Sequence, residues 1–353
     1  MINAALRREM ETSAKDTFNL PPYFDKPLSA EDVALMVDSL NKNSNIKKLK
    51  IVSCNLTDAA IQSLLGLQYM TDLDLTDNKL TRIGAETLAS SNQFQTLNLS
   101  ANYDIGDTGA RILAKNTILQ DLALAGCQLT GGCLESFRNN KHIVRLDLSN
   151  NFIHDENLHF LVEMPALTYL SLTNNAITMT GAVTLAATER FSTLLISGNP
   201  LRDAGIGVFR NNTSIKCLRA ADCRISDKGI SNLLADNGNK TIEELYIGRN
   251  DISSKSIPIL IENKQLTHIN LIATDIDGEG VALLEAYMRS NKEKNRTFNI
   301  ESNHNISPAV LQQFSLLTGK RHMGEAAPGE PPSKRLSASG SDNSAAASGP
   351  PMP

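Results

Sequence analysis

Apolar residues recur along this chain in a short pattern that restarts at nearly fixed intervals. Leu or Ile alternates with polar or small residues over four positions, and an Asn follows three residues after the last of them. An apolar stripe at helical spacing comes next. The clearest copy is Leu146 to Ile153, LDLSNNFI, with Ile143 three residues before it. Alternation with period two predicts a half-buried strand, and apolar residues at i, i+3 and i+4 predict an amphipathic helix. Each copy therefore predicts strand, turn, helix. Aligned on the central apolar residue, the copies fall at Leu49, Leu73, Leu97, Leu122, Leu146, Leu170, Leu194, Leu218, Leu245 and Ile269, with steps of 24, 24, 25, 24, 24, 24, 24, 27 and 24. A weaker eleventh strand (Phe298, Ile300, Asn303) follows after a step of 29.

Self-similarity at this period with L-x-x-L-x-L-x-x-N-x-L is the signature of a leucine-rich repeat solenoid: an α/β fold with a parallel sheet on the concave face and helices on the convex face. Three segments are expected. Residues 1–44 form a lead-in and capping coil, with Phe18 and Leu20 echoing a strand and Ser29 capping the helix that follows. Residues 45–317 hold the repeats and end in a helix capped by Ser307, with Pro308 at its first position. Residues 318–353, rich in Pro, Gly, Ala and Ser, bury too little apolar surface to order and form a disordered tail.

Within a repeat the Asn (Asn78, Asn102, Asn151, Asn175, Asn199, Asn250, Asn303) turns inward and satisfies backbone groups that the turn leaves without partners. Thr274 takes this place in the tenth repeat and should bond less completely. Asp107, Asp203, Ser226 and Asp277 are expected as helix N-caps. Gly84, Gly109, Gly181, Gly205, Gly229 and Gly280 recur early in the helices. Gly there costs roughly 1 kcal/mol against Ala, so its recurrence suggests close packing between neighbouring helices.

Composition narrows the function. A net charge of -4 argues against bulk nucleic-acid binding. No apolar run is long enough to span a membrane, and the charged start lacks the apolar core of a secretory signal peptide. Three of the five cysteines (Cys54, Cys127, Cys223) occupy the Asn position and are expected as buried thiols. Spacings of six between Cys127 and Cys133, and between Cys217 and Cys223, do not suit zinc. There is no P-loop, G-x-S-x-G or H-E-x-x-H. No catalytic residue, metal site or cofactor is expected.

Function is then carried by the concave positions that the motif leaves free. Adjacent strands bring equivalent positions together at about 4.8 Å. Asp72, Asp74, Asp121 and Asp147 therefore make an acidic N-terminal half that also holds Arg145. Tyr169, Leu195, Arg219, Tyr246, Arg249 and Ile272 make a mixed aromatic, apolar and basic C-terminal half. Tyr and Arg are favoured interface anchors, which places the binding patch around Tyr169, Arg219, Tyr246 and Arg249.

The extended motif L-x-x-L-x-L-x-x-N-x-I-x-D-x-G-A-x-x-L-A, carried by Leu97, Leu99, Asn102, Ile105, Asp107, Gly109, Ala110, Leu113 and Ala114, resembles the ribonuclease-inhibitor-like class. More narrowly it resembles the 24-residue GALA-type repeats of bacterial effectors delivered into eukaryotic hosts. Gly84-Ala85 and Gly181-Ala182 are further copies, and the resemblance covers Phe18 to Leu317. It implies a monomeric, non-catalytic scaffold that binds a partner protein, a host protein if the chain is an effector. GALA effectors carry an F-box ahead of their repeats; here only Leu20-Pro21 and the helix after Leu28 are available, and a capping coil explains them better. The tail is similar to type IV secretion signals of intracellular bacteria such as Legionella; an ordinary flexible tail is the other reading. The expected location is intracellular, or the host cytoplasm if the tail is a signal. Two alternatives stay open: an inhibitory module covering an enzyme's active site, and the substrate reader of a recruited ubiquitin ligase.

Overall fold

A computed structural model describes residues 2–22, 27–236, 238–291 and 296–317. The expected tail lies outside them. Among the described residues, twelve three-residue strands form one parallel sheet in strict chain order. They are β1 (Thr17–Asn19), β2 (Lys48–Lys50), β3 (Asp72–Asp74), β4 (Thr96–Asn98), β5 (Asp121–Ala123) and β6 (Arg145–Asp147). Then come β7 (Tyr169–Ser171), β8 (Thr193–Leu195), β9 (Cys217–Arg219), β10 (Glu244–Tyr246), β11 (His268–Asn270) and β12 (Thr297–Asn299). We number each coil by its strand. Every register pairs the central apolar residues, from Phe18 against Leu49 to Ile269 against Phe298. Helices are about 10 Å wide against 4.8 Å for strands, so the sheet lines the inside of the curve.

The ladder asparagines work across coils. Asn78 Nδ2 donates to the Ile51 and Leu75 carbonyls (2.6 and 2.9 Å), and its Oδ1 accepts from the Cys54 and Leu56 N–H groups (3.1 and 2.9 Å). Asn151 repeats the set on Leu124, Leu148, Cys127 and Leu129. Thr274 bonds to Leu271 O and Asn303 Oδ1 but sends nothing back to coil 10. The cysteines are half-replacements: Cys127 Sγ and Cys223 Sγ each donate to the carbonyl one coil back, Leu99 O and Ile196 O (both 3.3 Å). Sulfur is a weak acceptor. In the coil before each of these two, an N–H turns home instead: Ile105 N–H to Asn102 O and Leu201 N–H to Asn199 O.

One regularity escaped the sequence reading. The residue immediately before each ladder position, from Ser53 to Ser302, has positive φ. Its N–H extends the sheet by one more rung, as in Asp77 N–H to Ser100 O (2.9 Å) and Gly126 N–H to Ser149 O (2.9 Å).

The helical halves correct the expected capping. Asp107 and Asp203 are not N-caps; each accepts from a Thr or Ser of the next coil, which for Asp203 is the helix N-cap Ser226. Asp107 takes Thr130 N–H and Oγ1–H (3.1 and 2.6 Å), and Asp203 takes Ser226 N–H and Oγ–H (2.7 and 2.8 Å). Asp58 does the same for Thr81 and also accepts from Gly84 N–H. A Cβ at Gly84 would stand 2.5 Å from Asp58 Oδ1, and Gly181 and Gly229 likewise make room for Asp155 and Asp203, whereas Gly109 and Gly205 make room for apolar neighbours, Ile105 and Leu201. Ser226 and Asp277 do cap, as does Ser29, which forms a capping box with Asp32. Coil 5 has only a 3-10 turn, Leu134–Phe137, after Gly131 and Gly132.

A second Asn ladder closes the other end of the coils. Asn116, Asn140, Asn212 and Asn239 donate to carbonyls at the end of the preceding helical segment; Asn140 reaches Ala114 O and Asn116 O (2.9 and 3.0 Å). The lead-in is a helix, Ala4–Thr12, pinned through Asn43 Nδ2 to Met10 O and Ser13 O. Met10 is buried, so this segment closes the N-terminal end of the core; Phe314 in helix Pro308–Leu317 does so at the other end.

Candidate functional site

The concave face is built from outward positions of three-residue strands, so strand register alone decides which side chains meet. Arg145, Asp147 and Tyr169 lie at the centre. The Arg145 guanidinium sits 3.7 Å over the Tyr169 ring while its Nε bridges Asp121 Oδ2 at 3.1 Å. Tyr169 therefore packs with Arg145, whereas Arg219 stacks 4.2 Å over Tyr246 two strands further on from β8. The expected patch around Tyr169, Arg219 and Tyr246 is thus two Arg–Tyr stacks separated by β8, with half-buried Leu195 between them.

The other candidates fall as follows. Asp74 is bridged by Lys50 (3.7 Å) and accepts from Thr76 Oγ1–H (2.6 Å). Asp72 accepts from Thr71 Oγ1–H (2.7 Å). Tyr246 Oη–H donates to Glu244 Oε2 (3.2 Å). Arg249 is past the strand end, at the positive-φ position, and is exposed. Ile272 is half-buried, and its carbonyl accepts from Arg249 N–H (2.8 Å).

Not all free positions face solvent. Ser149 and Ser171 are 7% and 3% exposed and bond each other at 2.6 Å, with Ser149 Oγ–H also reaching Asp147 Oδ1. Burial pushes the Asp147 carboxyl above its ordinary range, against the hydrogen bonds from Ser149. Burial likewise raises Asp121, with Arg145 acting in the opposite direction. Gly248 is a packing requirement: a Cβ there would meet the Ile272 carbonyl at 2.6 Å.

Cys217 is the one thiol on this face, pushed up to about 11 by burial, so it stays protonated at neutral pH. Among the described residues no group of three or more His, Cys, Asp or Glu could hold a metal ion, and no helix is long and apolar enough to cross a membrane. What the face offers is an open surface of charged, aromatic and small side chains.

The leucine rich repeat family model matches residues 44–103 and 117–177. A mouse NACHT, LRR and PYD domains-containing protein (4E) is 28% identical over 277 residues, covering 73% of this chain and 24% of that protein. Pig ribonuclease inhibitor is 27% identical over 272 residues, 68% of this chain and 59% of the inhibitor. The chain thus spans about a quarter of the length of the first of these relatives. Among solved structures, a chain of the yeast Rad7 and Elc1 complex superposes with a TM-score of 0.58 at 13% identity, covering 86% of this chain and 81% of that one. An internalin from Listeria monocytogenes gives 0.51 at 19% identity, covering 88% and 86%. The fold is that of a leucine-rich repeat solenoid, and the sequence is related to ribonuclease inhibitor and to the LRR regions of the NACHT, LRR and PYD domains-containing proteins.

Proposed function

We propose that this leucine-rich repeat protein is a non-catalytic scaffold that binds a partner protein on the C-terminal half of its concave face, centred on Arg219 and Tyr246. The observation that carries this reading is the Arg219–Tyr246 stack itself. Arg219 has no acidic partner within bridging distance among the described residues, while the ring beneath holds its guanidinium in place. A preordered Arg loses little side-chain entropy on binding and can meet a partner's carboxylate with two parallel hydrogen bonds. Tyr169 and Leu195 extend the apolar footprint.

The finer reading is a translocated bacterial effector acting on a host protein; the GALA-like repeats and the composition of residues 318–353 support it. The likeness to ribonuclease inhibitor over 272 residues favours a second reading, an inhibitory module laid over an enzyme. Capture of a host protein by the full chain should fall at least tenfold in Arg219→Glu/Tyr246→Ala, with thermal stability unchanged. Undiminished capture would remove the concave site. Delivery that survives deletion of 318–353 would remove the reading of that segment as a secretion signal and leave the scaffold standing.

A further inference from the structure

Tyr103 and Phe152 are the most exposed Phe and Tyr side chains among the described residues, at 58% and 60%. Both stand one residue past a ladder Asn, on the edge where the chain leaves the sheet. The solenoid asks nothing of a side chain there. Phe152 serves it through its backbone, donating N–H to Leu129 O (2.8 Å), as Lys79, Ala176 and Asp251 do in their coils; in coil 4 Asp104 makes the bridge to Thr81, and Tyr103 is the extra residue before it. Two coils separate the aromatics, so their backbones lie about 10 Å apart at the strand spacing. Singly exposed apolar residues are ordinary, so the pair gains meaning only from what surrounds it.

The surrounding charge says what would cover it. From strand to ladder-plus-one position, coils 3 to 6 carry Asp72, Asp74, Asp77, Asp121 and Asp147 against Lys79 and Arg145: five acids, two bases, net -3. The same span of coils 9 and 10 carries Arg219, Arg224 and Arg249 against Asp222, Glu244 and Asp251, a balance of zero. Small residues, Ser100, Ala125 and Ser149, separate the acids from the aromatic edge in coils 4 to 6, so one segment can touch both. The half-buried Asp147 feels the charge of Arg145 but has no bridging cation among the described residues, and an arriving ammonium or guanidinium would supply one.

We propose that the edge of coils 3 to 6 is a second docking surface, occupied by a cationic amphipathic segment of a partner protein in which Lys or Arg alternates with apolar side chains. The apolar side chains seat against Tyr103 and Phe152 while the cations reach the aspartates. Tyr103 and Phe152 also offer ring faces to a cation. A polyanion or an anionic membrane is repelled by the same charge. This surface stands apart from the Arg219–Tyr246 patch, and neither depends on the other.

The test uses the full chain and a fluorescent Leu/Lys amphipathic helical peptide, with its Leu/Glu counterpart as control, read by anisotropy. The Lys peptide should bind and the Glu peptide should not. Tyr103→Ser/Phe152→Ser should weaken binding at least tenfold at constant ionic strength. Asp72→Asn/Asp121→Asn should weaken it comparably and flatten its salt dependence. Arg219→Glu/Tyr246→Ala should leave it unchanged, which separates this surface from the proposed function. All of these are surface changes, and unaltered melting curves establish that the variants are folded. The proposal is overturned if the Lys peptide does not bind, if the Glu peptide binds equally, or if the aromatic double variant binds as well as the parent.

Discussion

At the scale of single residues the concave centre holds two carboxyls in unlike settings. Asp121 is met by Arg145, whereas Asp147 is met only by hydroxyl and N–H donors, Ser149 above all. Burial raises both from the ordinary range. For a carboxyl raised in the folded state, the protonated form is the one that folding favours. The stabilisation is complete below the unfolded pKa of about 3.9 and is lost as pH rises through the folded value, leaving a net cost at neutrality. Asp147→Asn keeps an acceptor for Ser149 and removes the charge. Its melting temperature at pH 7 should equal the parent's or exceed it by up to about 3 °C, with the difference shrinking toward pH 4. A loss that is the same at both pH values would show that the hydrogen bonds, not the charge, dominate this site. Strand alternation alone puts Asp147 and its neighbours on the concave face. It could not show that Ser149 and Ser171 sink below the surface, because that depth comes from their mutual hydrogen bond and from neighbours one coil away.

At the scale of the element, a coil is held to the next by side-chain bonds as much as by the sheet. Thr274 is the weak joint. Its hydroxyl is spent on Leu271 O and Asn303 Oδ1, whereas an Asn in that place would also reach back to Ile247 O and Ile252 N–H, as Asn151 does to Leu124 O and Leu129 N–H. Two such bonds at about 0.5–1.5 kcal/mol each make Thr274→Asn stabilising by roughly 1–3 kcal/mol in a denaturant titration. A neutral or negative result would mean that the turn of coil 10 has already found other partners. The sequence showed the Asn ladder and this gap in it because both are single letters at a fixed phase. The Asn116–Asn140–Asn239 ladder was equally present as Asn three residues before an apolar residue, and went unread because it lies outside the strand motif. The role of Asp107 and Asp203 was hidden for a different reason. An Asp at a helix start is normally read as a cap, and only the stacking of coils reveals that the acceptor serves the neighbour's Thr or Ser.

At the scale of the whole molecule, the two candidate surfaces sit on different coils of one continuous array, and their separation is fixed only as long as every joint between them holds. Stability in such an array is a sum of coil and nearest-neighbour terms. A lesion in the middle removes two interfaces, whereas a lesion at the end removes one. Leu146 is fully buried in β6, the last coil of the acidic–aromatic edge and the one nearest the Arg219–Tyr246 stack, and Phe298 is buried in the terminal β12. Leu146→Ala should cost about 2–5 kcal/mol from lost burial and the cavity left behind, enough to uncouple the halves. Its denaturant unfolding should become biphasic, with hydrogen exchange rising first around coils 5 to 7. Phe298→Ala, of similar cost, should keep a single transition and speed exchange only near the C-terminal coils. If Leu146→Ala unfolds in one step with uniform exchange, the array is a single cooperative block. The distance between the two surfaces would then be a rigid property of the fold, one that a partner spanning both could rely on.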